Sequence, residues 1–333
     1  MSDMLEMIRT LGDQLRWAES LPIPPLPQSS EVLVAGMGGS GIAGNYGSAL
    51  ASGGDGRVSV HKGYSPLPGW ARRVRPTFIG ISYSGNTEET LDMVEAADDA
   101  GLTVVTITTG GRLAEMSESA GWPSIQVPAG LQPRAAVGYL VGAVGRVLHA
   151  MGTVDDQASA LVEAADLVDG LTAEGSAAWE LADRLSSDLV GRVSIIYGGG
   201  AISGTAAQRW KTQINENAKM PAWWSVLPEL DHNELVGWET FPERTRETVA
   251  ILALADAADH PRVKVRLEHS SDLTGFAVPW LPVVRSSGDS GLARLMSLTA
   301  TGDLVSWMLA TKAGADPVPV ATIEKLKKLL AEG

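Results

Sequence analysis

The stretch VLVAGMGGSGIAGNYG, residues 32–47, has the pattern of a buried strand, a glycine-rich turn and the start of a helix. Within it, Gly36, Gly38 and Gly41 satisfy G-x-G-x-x-G, the fingerprint of dinucleotide-binding turns. Backbone N–H groups at the N-terminus of a helix bind anions, and the helix dipole favours negative charge there. The stretch therefore predicts an α/β fold with an anion site, and it leaves open whether the anion is a dinucleotide or a single phosphate.

The rest of the first half alternates short apolar segments with helical ones. The predicted strands are, in order, EVLVAG, RVSVHKG, TFIGIS, LTVVTITTG and SIQVPAG. The segments TEETLDMVEAADDAG and AVGYLVGAVGRVLHAM have the pattern of helices. Short strands separated by helices predict a doubly wound parallel sheet with helices on both faces.

A second glycine-rich turn, in the C-terminal half, resembles the first. RVSIIYGGGAISGTAAQRW is similar to EVLVAGMGGSGIAGNYG, and Gly38 corresponds to Gly198 at an offset of 160 residues (198 − 38). RETVAILALAD then follows as the next main strand, as RPTFIGISYSG does in the first half. The matched order of elements predicts a duplicated α/β domain. We expect an N-terminal helix and Pro-rich linker at residues 1–28, a first domain at 29–152, linking helices at 153–188, and a second domain with a C-terminal helix at 189–333.

The composition argues against several classes of function. The 333 residues are 44% hydrophobic and 20% charged, as in a packed globular protein, and the net charge of −13 argues against binding to nucleic acid or to an anionic membrane surface. The chain has no cysteine and five scattered histidines, so we expect no disulfide, no thiolate chemistry and no metal site. No apolar run is long enough to span a bilayer and the N-terminal segment lacks a signal-peptide pattern, which together predict a cytoplasmic protein.

A polar loop, SYSGNTEET at residues 82–90, follows the third predicted strand and opens a helix. Gly85 tolerates positive φ and suits the turn. Ser82, Ser84 and Thr87 offer three hydroxyls beside free backbone N–H groups, an arrangement that binds phosphate without lysine or magnesium. The C-terminal half has LADAADHP at the equivalent place, so we expect one phosphate site per chain, in the first domain.

The end of the second predicted strand bears on the nature of the anion. A dinucleotide site places an acidic residue there to bind a ribose. In this chain RVSVHKGY ends in His61 and Lys62, and the glycine turn lacks the G-K-[ST] ending of a P-loop. The missing acid and the hydroxyl-rich loop favour a monophosphate. A nicotinamide-dependent oxidoreductase remains an alternative that rests on the glycine pattern alone.

The combination of GMGGSGIAG, SYSGNTEET and a second similar domain resembles the sugar isomerase (SIS) domain family. INENAKMPAWWSVLPELDHNELVGWE, residues 214–239, is similar to the signature of the bifunctional phosphoglucose/phosphomannose isomerases, and QPRAAVGYL and LATKAGADPVPVATIEKLKKLL match the same group. The resemblance covers nearly the whole chain in order. It implies two SIS domains, each a five-stranded parallel sheet flanked by helices (doubly wound, flavodoxin-like). It also implies reversible conversion of glucose 6-phosphate and mannose 6-phosphate to fructose 6-phosphate, with no metal or other cofactor.

The resemblance further implies a homodimer, with the active site near the interface, and roles for single residues. Glu216 of NENAK is the implied catalytic base, and His232 of DHNE serves ring opening and reaches into the partner's active site. Lys312 of TKAG assists near the ring oxygen, and Arg134 of QPRAAVG lies by the reacting carbons. The implied phosphate-binding residues are Gly39, Ser40, Ser82, Ser84 and Thr87.

These residue types suit the implied chemistry. Aldose–ketose isomerisation moves a proton between C2 and C1 through a cis-enediol, and one carboxylate that reaches both carbons can take and return it. Arg134 would supply a permanent positive charge for the enediolate, and histidine titrates in the range that ring opening needs. The alternative from another class is a non-catalytic regulator that binds a sugar phosphate. A pure sensor, however, has no need of a Glu216 base.

Overall fold

The first half of the chain contains a five-stranded parallel sheet. The structure, a computed structural model, describes residues 3–332. The strands are β1 (Glu31–Ala35), β2 (Arg57–His61), β3 (Thr77–Ser82), β4 (Val104–Thr108) and β5 (Ser124–Gln126). They lie in the order β2-β1-β3-β4-β5 and every pair is parallel. The doubly wound sheet predicted for this half is confirmed.

Helices cover both faces of this sheet. The helices of this half are α1 (Asp3–Arg9), α2 (Leu11–Glu19), α3 (Gly38–Ala51), α4 (Ala71–Val74), α5 (Glu88–Asp99), α6 (Gly111–Ala120) and α7 (Val137–Ala150). α3, α5, α6 and α7 pack on the strands, whereas α1 and α2 pack on other helices. β3 and β4 are buried along their whole length, as central parallel strands covered on two faces should be. No helix within residues 3–332 combines the length and the apolar character that crossing a bilayer requires.

The second sheet has four strands, so the expected five is wrong for this half. Its strands are β6 (Val193–Gly198), β7 (Ala222–Val226), β8 (Val249–Ala255) and β9 (Val284–Arg285), in the order β7-β6-β8-β9. In the first half, a helix and a strand intervene between β4 and α7. In the second half, the chain passes from the two-residue β9 almost directly into a long helix that begins at Gly291. No chain is left there to form a fifth strand.

The remaining helices join and cover the second sheet. Those that occupy the predicted linking segment are α8 (Ala158–Thr172) and α9 (Ala177–Leu189). They are followed by α10 (Ala201–Gln213), a π-helix (Ile214–Ala218), a 3-10 helix (Glu229–His232), α11 (Glu234–Gly237), α12 (Pro242–Thr248), α13 (Pro261–Thr274), α14 (Gly291–Lys312) and α15 (Ala321–Glu332). The domain boundaries proposed from the sequence stay predictions.

The two halves correspond at a different offset from the one that the glycine runs suggest. β1 ends at Ala35 and β6 at Gly198, while α3 begins at Gly38 and α10 at Ala201. The structural offset is therefore 163 residues (198 − 35 and 201 − 38), not 160. At this offset the second turn places Ser203 where the first turn has Ser40.

A buried ion pair connects α10 to α14 in the C-terminal half, and its arginine also hydrogen-bonds to the first half. Nη2 of Arg209, on α10, lies 2.7 Å from Oδ2 of Asp303, on α14, and both side chains are almost fully buried. Nε2 of Gln213 donates to the same carboxylate at 2.8 Å. Arg209 also donates to the backbone carbonyl of Arg134 at 3.0 Å. These contacts place α10 and α14 against the segment that precedes α7.

We expect Asp303→Ala to lower the free energy of unfolding by about 3–5 kcal/mol, because it leaves the Arg209 charge buried and without its carboxylate. The matched control is Asp166→Ala, which removes an exposed carboxylate 2.7 Å from Arg16. That change should cost no more than about 1 kcal/mol. Urea denaturation of both variants measures the difference, and equal losses would contradict a structural role for the buried pair.

Candidate functional site

The polar loop after β3 forms a cradle of hydroxyls at the edge of the first sheet. Oγ of Ser82 lies 2.9 Å from Oγ1 of Thr87, and the backbone N–H of Thr87 donates to Ser82 at 3.3 Å. The N–H of Asn86 donates to Oγ of Ser84 at 3.3 Å. Gly85 has φ +71°, which a glycine adopts without strain. The loop therefore gathers Ser82, Ser84 and Thr87 at the N-terminus of α5.

The first glycine turn completes the cradle from the neighbouring strand. The N–H of Tyr83 donates to Oγ of Ser40 at 3.1 Å, which joins the loop after β3 to the first turn of α3. β1 and β3 are adjacent, and the strand order reverses between them. Ligands of doubly wound sheets bind at such a reversal, beyond the carboxyl ends of the strands. The N-termini of two helices and the hydroxyls of Ser40, Ser82 and Thr87 thus lie at the carboxyl ends of adjacent strands, where doubly wound sheets bind anions.

Arg134 and Glu216 come from different halves of the chain and lie together. Nη1 of Arg134 is 3.7 Å from Oε2 of Glu216, with side chains 4% and 26% exposed respectively. Nε of Arg134 donates to Oδ1 of Asn217 at 2.7 Å. Burial lowers the pKa of Arg134, and the carboxylate of Glu216 opposes that shift. The pair is a half-buried carboxylate held beside a buried cation.

A π-helix positions Glu216. α10 widens into it at Ile214–Ala218, and it ends at Lys219, whose φ of +56° is left-handed. Single π-turns within helices are frequent at functional sites because they redirect one side chain. The far wall of the cleft at Glu216, with a volume of about 480 Å³, is formed by residues 319–323.

The cradle and the Arg134–Glu216 pair are neighbours. A Cβ on Gly39, in the first turn of α3, would lie 2.8 Å from the carbonyl oxygen of Pro133 and 3.3 Å from Cα of Arg134. Gly39 therefore lets the first turn of α3 pack directly on the segment that carries Arg134. A molecule bound at Ser40 would extend towards Arg134 and Glu216.

Lys312 and His232 lie elsewhere. Nζ of Lys312 is 2.7 Å from Oδ1 of Asp183 and 2.6 Å from Oγ of Ser187, both on α9. His232 ends the 3-10 helix and is exposed. Within residues 3–332, no hydrogen bond or ion pair joins either residue to Glu216 or Arg134. One chain thus brings together seven of the nine residues singled out from the sequence.

The sequence reasoning left two neighbours of the site without a role. Asn217 bonds Arg134, and its presence within NENAK was the available signal. Lys62 follows β2, and its Cε would lie 3.0 Å from a Cβ on Gly41, so its side chain runs along the first turn of α3. No carboxylate among the described residues forms an ion pair with Lys62. The sequence feature that could have indicated a role for Lys62 is its position: it follows the strand at whose end a dinucleotide site has an acidic residue.

The second glycine turn is already occupied by a carboxylate of the chain itself. Oγ of Ser203 lies 3.0 Å from both carboxylate oxygens of Asp259 and accepts from the N–H groups of Gly199 and Gly200 at 2.8 and 2.9 Å. A Cβ on Gly200 would lie 2.4 Å from Oδ1 of Asp259. Asp259 therefore fills the position where an anion would sit at the N-terminus of α10. The single phosphate site per chain expected from the sequence stays a prediction.

Metal ligands are not clustered in the part of the chain that the structure describes. Residues 3–332 contain no group of three or more His, Cys, Asp or Glu side chains arranged to hold an ion. The cleft is lined by the Glu216 carboxylate, the Lys219 side chain and residues 319–323, with the Arg134 guanidinium beside Glu216. The hydroxyls and backbone N–H groups belong to the neighbouring cradle. Such a set can bind a phosphate and move a proton.

Comparison with known proteins identifies close relatives. Residues 178–330 match the bacterial phospho-glucose isomerase C-terminal SIS domain. The chain is 39% identical over 309 residues to a bifunctional phosphoglucose/phosphomannose isomerase of Caldicellulosiruptor bescii, covering 91% of this chain and 90% of the relative. It is 35% identical over 334 residues to the enzyme of that name from Aquifex aeolicus, covering 99% of each.

Solved structures share the fold at low sequence identity. The C-terminal domain of glucosamine-fructose-6-phosphate aminotransferase from Francisella tularensis matches with a TM-score of 0.71 at 14% identity, over 95% of this chain and 97% of that one. Tagatose-6-phosphate ketose/aldose isomerase from Escherichia coli matches with a TM-score of 0.65 at 16% identity, over 94% of each chain. These likenesses support the fold alone.

We expect Gly85→Ala to distort the cradle. A Cβ there would lie 1.7 Å from the carbonyl oxygen of Gly110, and an alanine at positive φ costs about 1–2 kcal/mol in addition. The variant should melt at a lower temperature and lose affinity for inorganic phosphate, measured by calorimetry. Gly53→Ala is the control, because a Cβ on Gly53 meets nothing within 4 Å. Unchanged phosphate affinity in Gly85→Ala would remove this loop from the anion site.

Proposed function

This chain belongs to the bifunctional phosphoglucose/phosphomannose isomerase family, and we propose that it interconverts glucose 6-phosphate and mannose 6-phosphate with fructose 6-phosphate. It is an isomerase of the aldose–ketose type. The observation that supports this proposal most directly is the Glu216 carboxylate, 3.7 Å from the Arg134 guanidinium and close to the hydroxyl cradle.

The phosphate of the substrate binds at the cradle in this proposal. Gly39 and Ser40 contribute from the N-terminus of α3, while Ser82, Ser84 and Thr87 contribute from the N-terminus of α5. Hydroxyls and backbone N–H groups donate to the phosphate oxygens, and both helix dipoles favour the negative charge. Fixing the phosphate fixes the distance from it to C1 and C2, which places these carbons at Glu216.

Glu216 then moves the proton. Its carboxylate takes the proton from C2 of the open-chain aldose, which gives the cis-enediol(ate), and it returns the proton to C1 to give the ketose. Arg134 is permanently charged and almost fully buried, so it stabilises the negative charge that develops on the enediolate oxygens. The same carboxylate serves both directions, as a reversible reaction needs.

Ring opening is assigned to His232 and Lys312. The role of Lys312 near the ring oxygen rests on the family resemblance, since in its own chain the ammonium is paired with the Asp183 carboxylate and the Ser187 hydroxyl. His232 is exposed and makes no contact with Glu216 in its own chain, which supports a role in the active site of a second subunit. The active assembly in this proposal is therefore a homodimer.

We propose the cytoplasm as the location. The substrates carry a phosphate, and transfer of such a charged group into apolar surroundings is too costly for free passage across a bilayer. The reaction must therefore take place in the compartment where its sugar phosphates are formed.

We expect Glu216→Gln to lower kcat by at least about 10³-fold, because the amide cannot accept the proton. Incubating glucose 6-phosphate and mannose 6-phosphate separately in D₂O and following deuterium at C1 and C2 by NMR measures the transfer. Phosphate affinity should be retained. Glu118→Gln, which changes an exposed glutamate on α6, is the control. Wild-type turnover in Glu216→Gln would show that another group is the base.

We expect activity to return when inactive Glu216→Gln and His232→Ala subunits are mixed, unfolded and refolded together. If His232 serves the partner's site, each mixed dimer has one site with both residues intact. Random pairing should then restore about a quarter of wild-type activity. If His232 served its own chain, every site would lack one residue and no activity would return.

A further inference from the structure

The C-terminal helix α15 exposes an apolar face. Every residue from 321 to 330 is exposed, although the helix contains one isoleucine and three leucines. Ile323 is 43% exposed, Leu326 and Leu329 are each 56% exposed, and Leu330 is 59% exposed. Isolated large apolar side chains are common on surfaces, but four on one short helix are not.

These side chains lie on one side of α15. With about 100° between successive residues, Ile323, Leu326 and Leu330 lie within about 60° of each other, and Leu329 flanks Leu326. Glu324 and Lys328 lie on the opposite side. A helix of 12 residues is marginal in water on its own. The pattern is that of an amphipathic helix whose apolar face packs on another surface.

The charge of α15 differs from that of the rest of the chain. Three of the eight lysines of the protein, Lys325, Lys327 and Lys328, fall within four residues of this helix. The chain as a whole carries a net charge of −13. A basic, apolar helix on an acidic protein favours an acidic surface that is also apolar.

The same chain carries such a surface, which we call the receiving surface: Trp223 and Trp224 of β7 with residues 229–243. Trp223, Val236 and Phe241 are 57%, 65% and 63% exposed. Residues 229–243 contain five carboxylates and no lysine or arginine. Exposed apolar side chains and negative charge thus occur together, as the counterpart of α15.

We propose that α15 of each subunit docks on the receiving surface of a second copy of this chain, with its leucines against the exposed tryptophan, valine and phenylalanine. Lys325 and Lys327, which flank the apolar face, then lie beside the carboxylates. Both surfaces are present on every chain, so two reciprocal contacts close a two-fold dimer. For its catalytic consequence the inference rests on the proposed function.

The docked helix would complete the active site. Nη2 of Arg134 donates to the carbonyl oxygens of Pro317 and Val318, at 2.6 and 2.8 Å, just before α15. Residues 319–323 then line the cleft at Glu216. The receiving surface contains His232. The segment from Pro317 through α15 begins beside Glu216 of one subunit and would end on the receiving surface of the other. Docking therefore brings His232 of the partner subunit towards that cleft.

The test compares two pairs of glutamine substitutions in α15. Leu326→Gln with Leu330→Gln removes the apolar face, while Glu324→Gln with Lys328→Gln changes the opposite side and leaves the net charge unchanged. Glutamine is a good helix former, so both variants keep the helix propensity. Light scattering after size-exclusion chromatography over a dilution series measures the dimer dissociation constant.

We expect the leucine variant to dimerise at least about 100-fold more weakly than wild type, since it removes two anchors from each of two contacts. The control should match wild type. Trp223→Gln with Val236→Gln, on the receiving surface, should weaken the dimer similarly, and the combination with the leucine variant should weaken it little further. Melting temperatures of the monomers should agree, because these side chains are exposed.

A leucine variant that dimerises like the control, or a wild-type protein that is monomeric at micromolar concentration, overturns the inference. The isomerase assay separates it from the proposed function. Turnover in wild type with no effect of the leucine pair on dimerisation refutes the docking alone. Weakened dimers in a protein that never isomerises either hexose phosphate would refute the function alone.

Discussion

The buried guanidinium of Arg134 is the constraint on which the site depends. A buried charge is stable only when its N–H groups are satisfied, and the acceptors here come from separate parts of the chain. Asn217 belongs to the π-helix, Pro317 and Val318 to the segment before α15, and Glu216 supplies the opposite charge. Satisfying one cation therefore fixes the Glu216 carboxylate and the segment before α15 together.

The backbone of Arg134 is in turn held from the second half of the chain. Arg209 donates to its carbonyl oxygen while it is paired with Asp303, so two arginines from different halves are linked through one peptide group. From the other side, the first turn of α3 packs on residues 133 and 134, because Gly39 lacks a Cβ. The position of the Arg134 charge thus follows from packing between the halves of the chain.

The local patterns predicted the first sheet and the position of the hydroxyl loop, because both depend on residues that are adjacent in sequence. β3 is a run of apolar residues, and the loop is three hydroxyl residues at the end of a strand. The offset of 160 residues predicted for the duplication was wrong, because three consecutive glycines can be aligned in more than one register. The ends of β1 and β6 and the starts of α3 and α10 fix the register. The fifth strand of the second sheet was wrong because apolar residues after β9 became α14. The partners of His232 and Lys312 depend on contacts that no local pattern records.

The two halves of the duplicated fold differ at their glycine turns, because among the described residues only the second turn is bonded by a carboxylate of the chain itself. In the first half, Oγ of Ser40 accepts from the N–H of Tyr83, and no carboxylate among the described residues bonds it. In the second half, the equivalent Ser203 binds Asp259, so the chain satisfies its own helix N-terminus with a carboxylate. With that site closed, the second half contributes the Glu216 carboxylate that α10 and its π-turn direct across to the first.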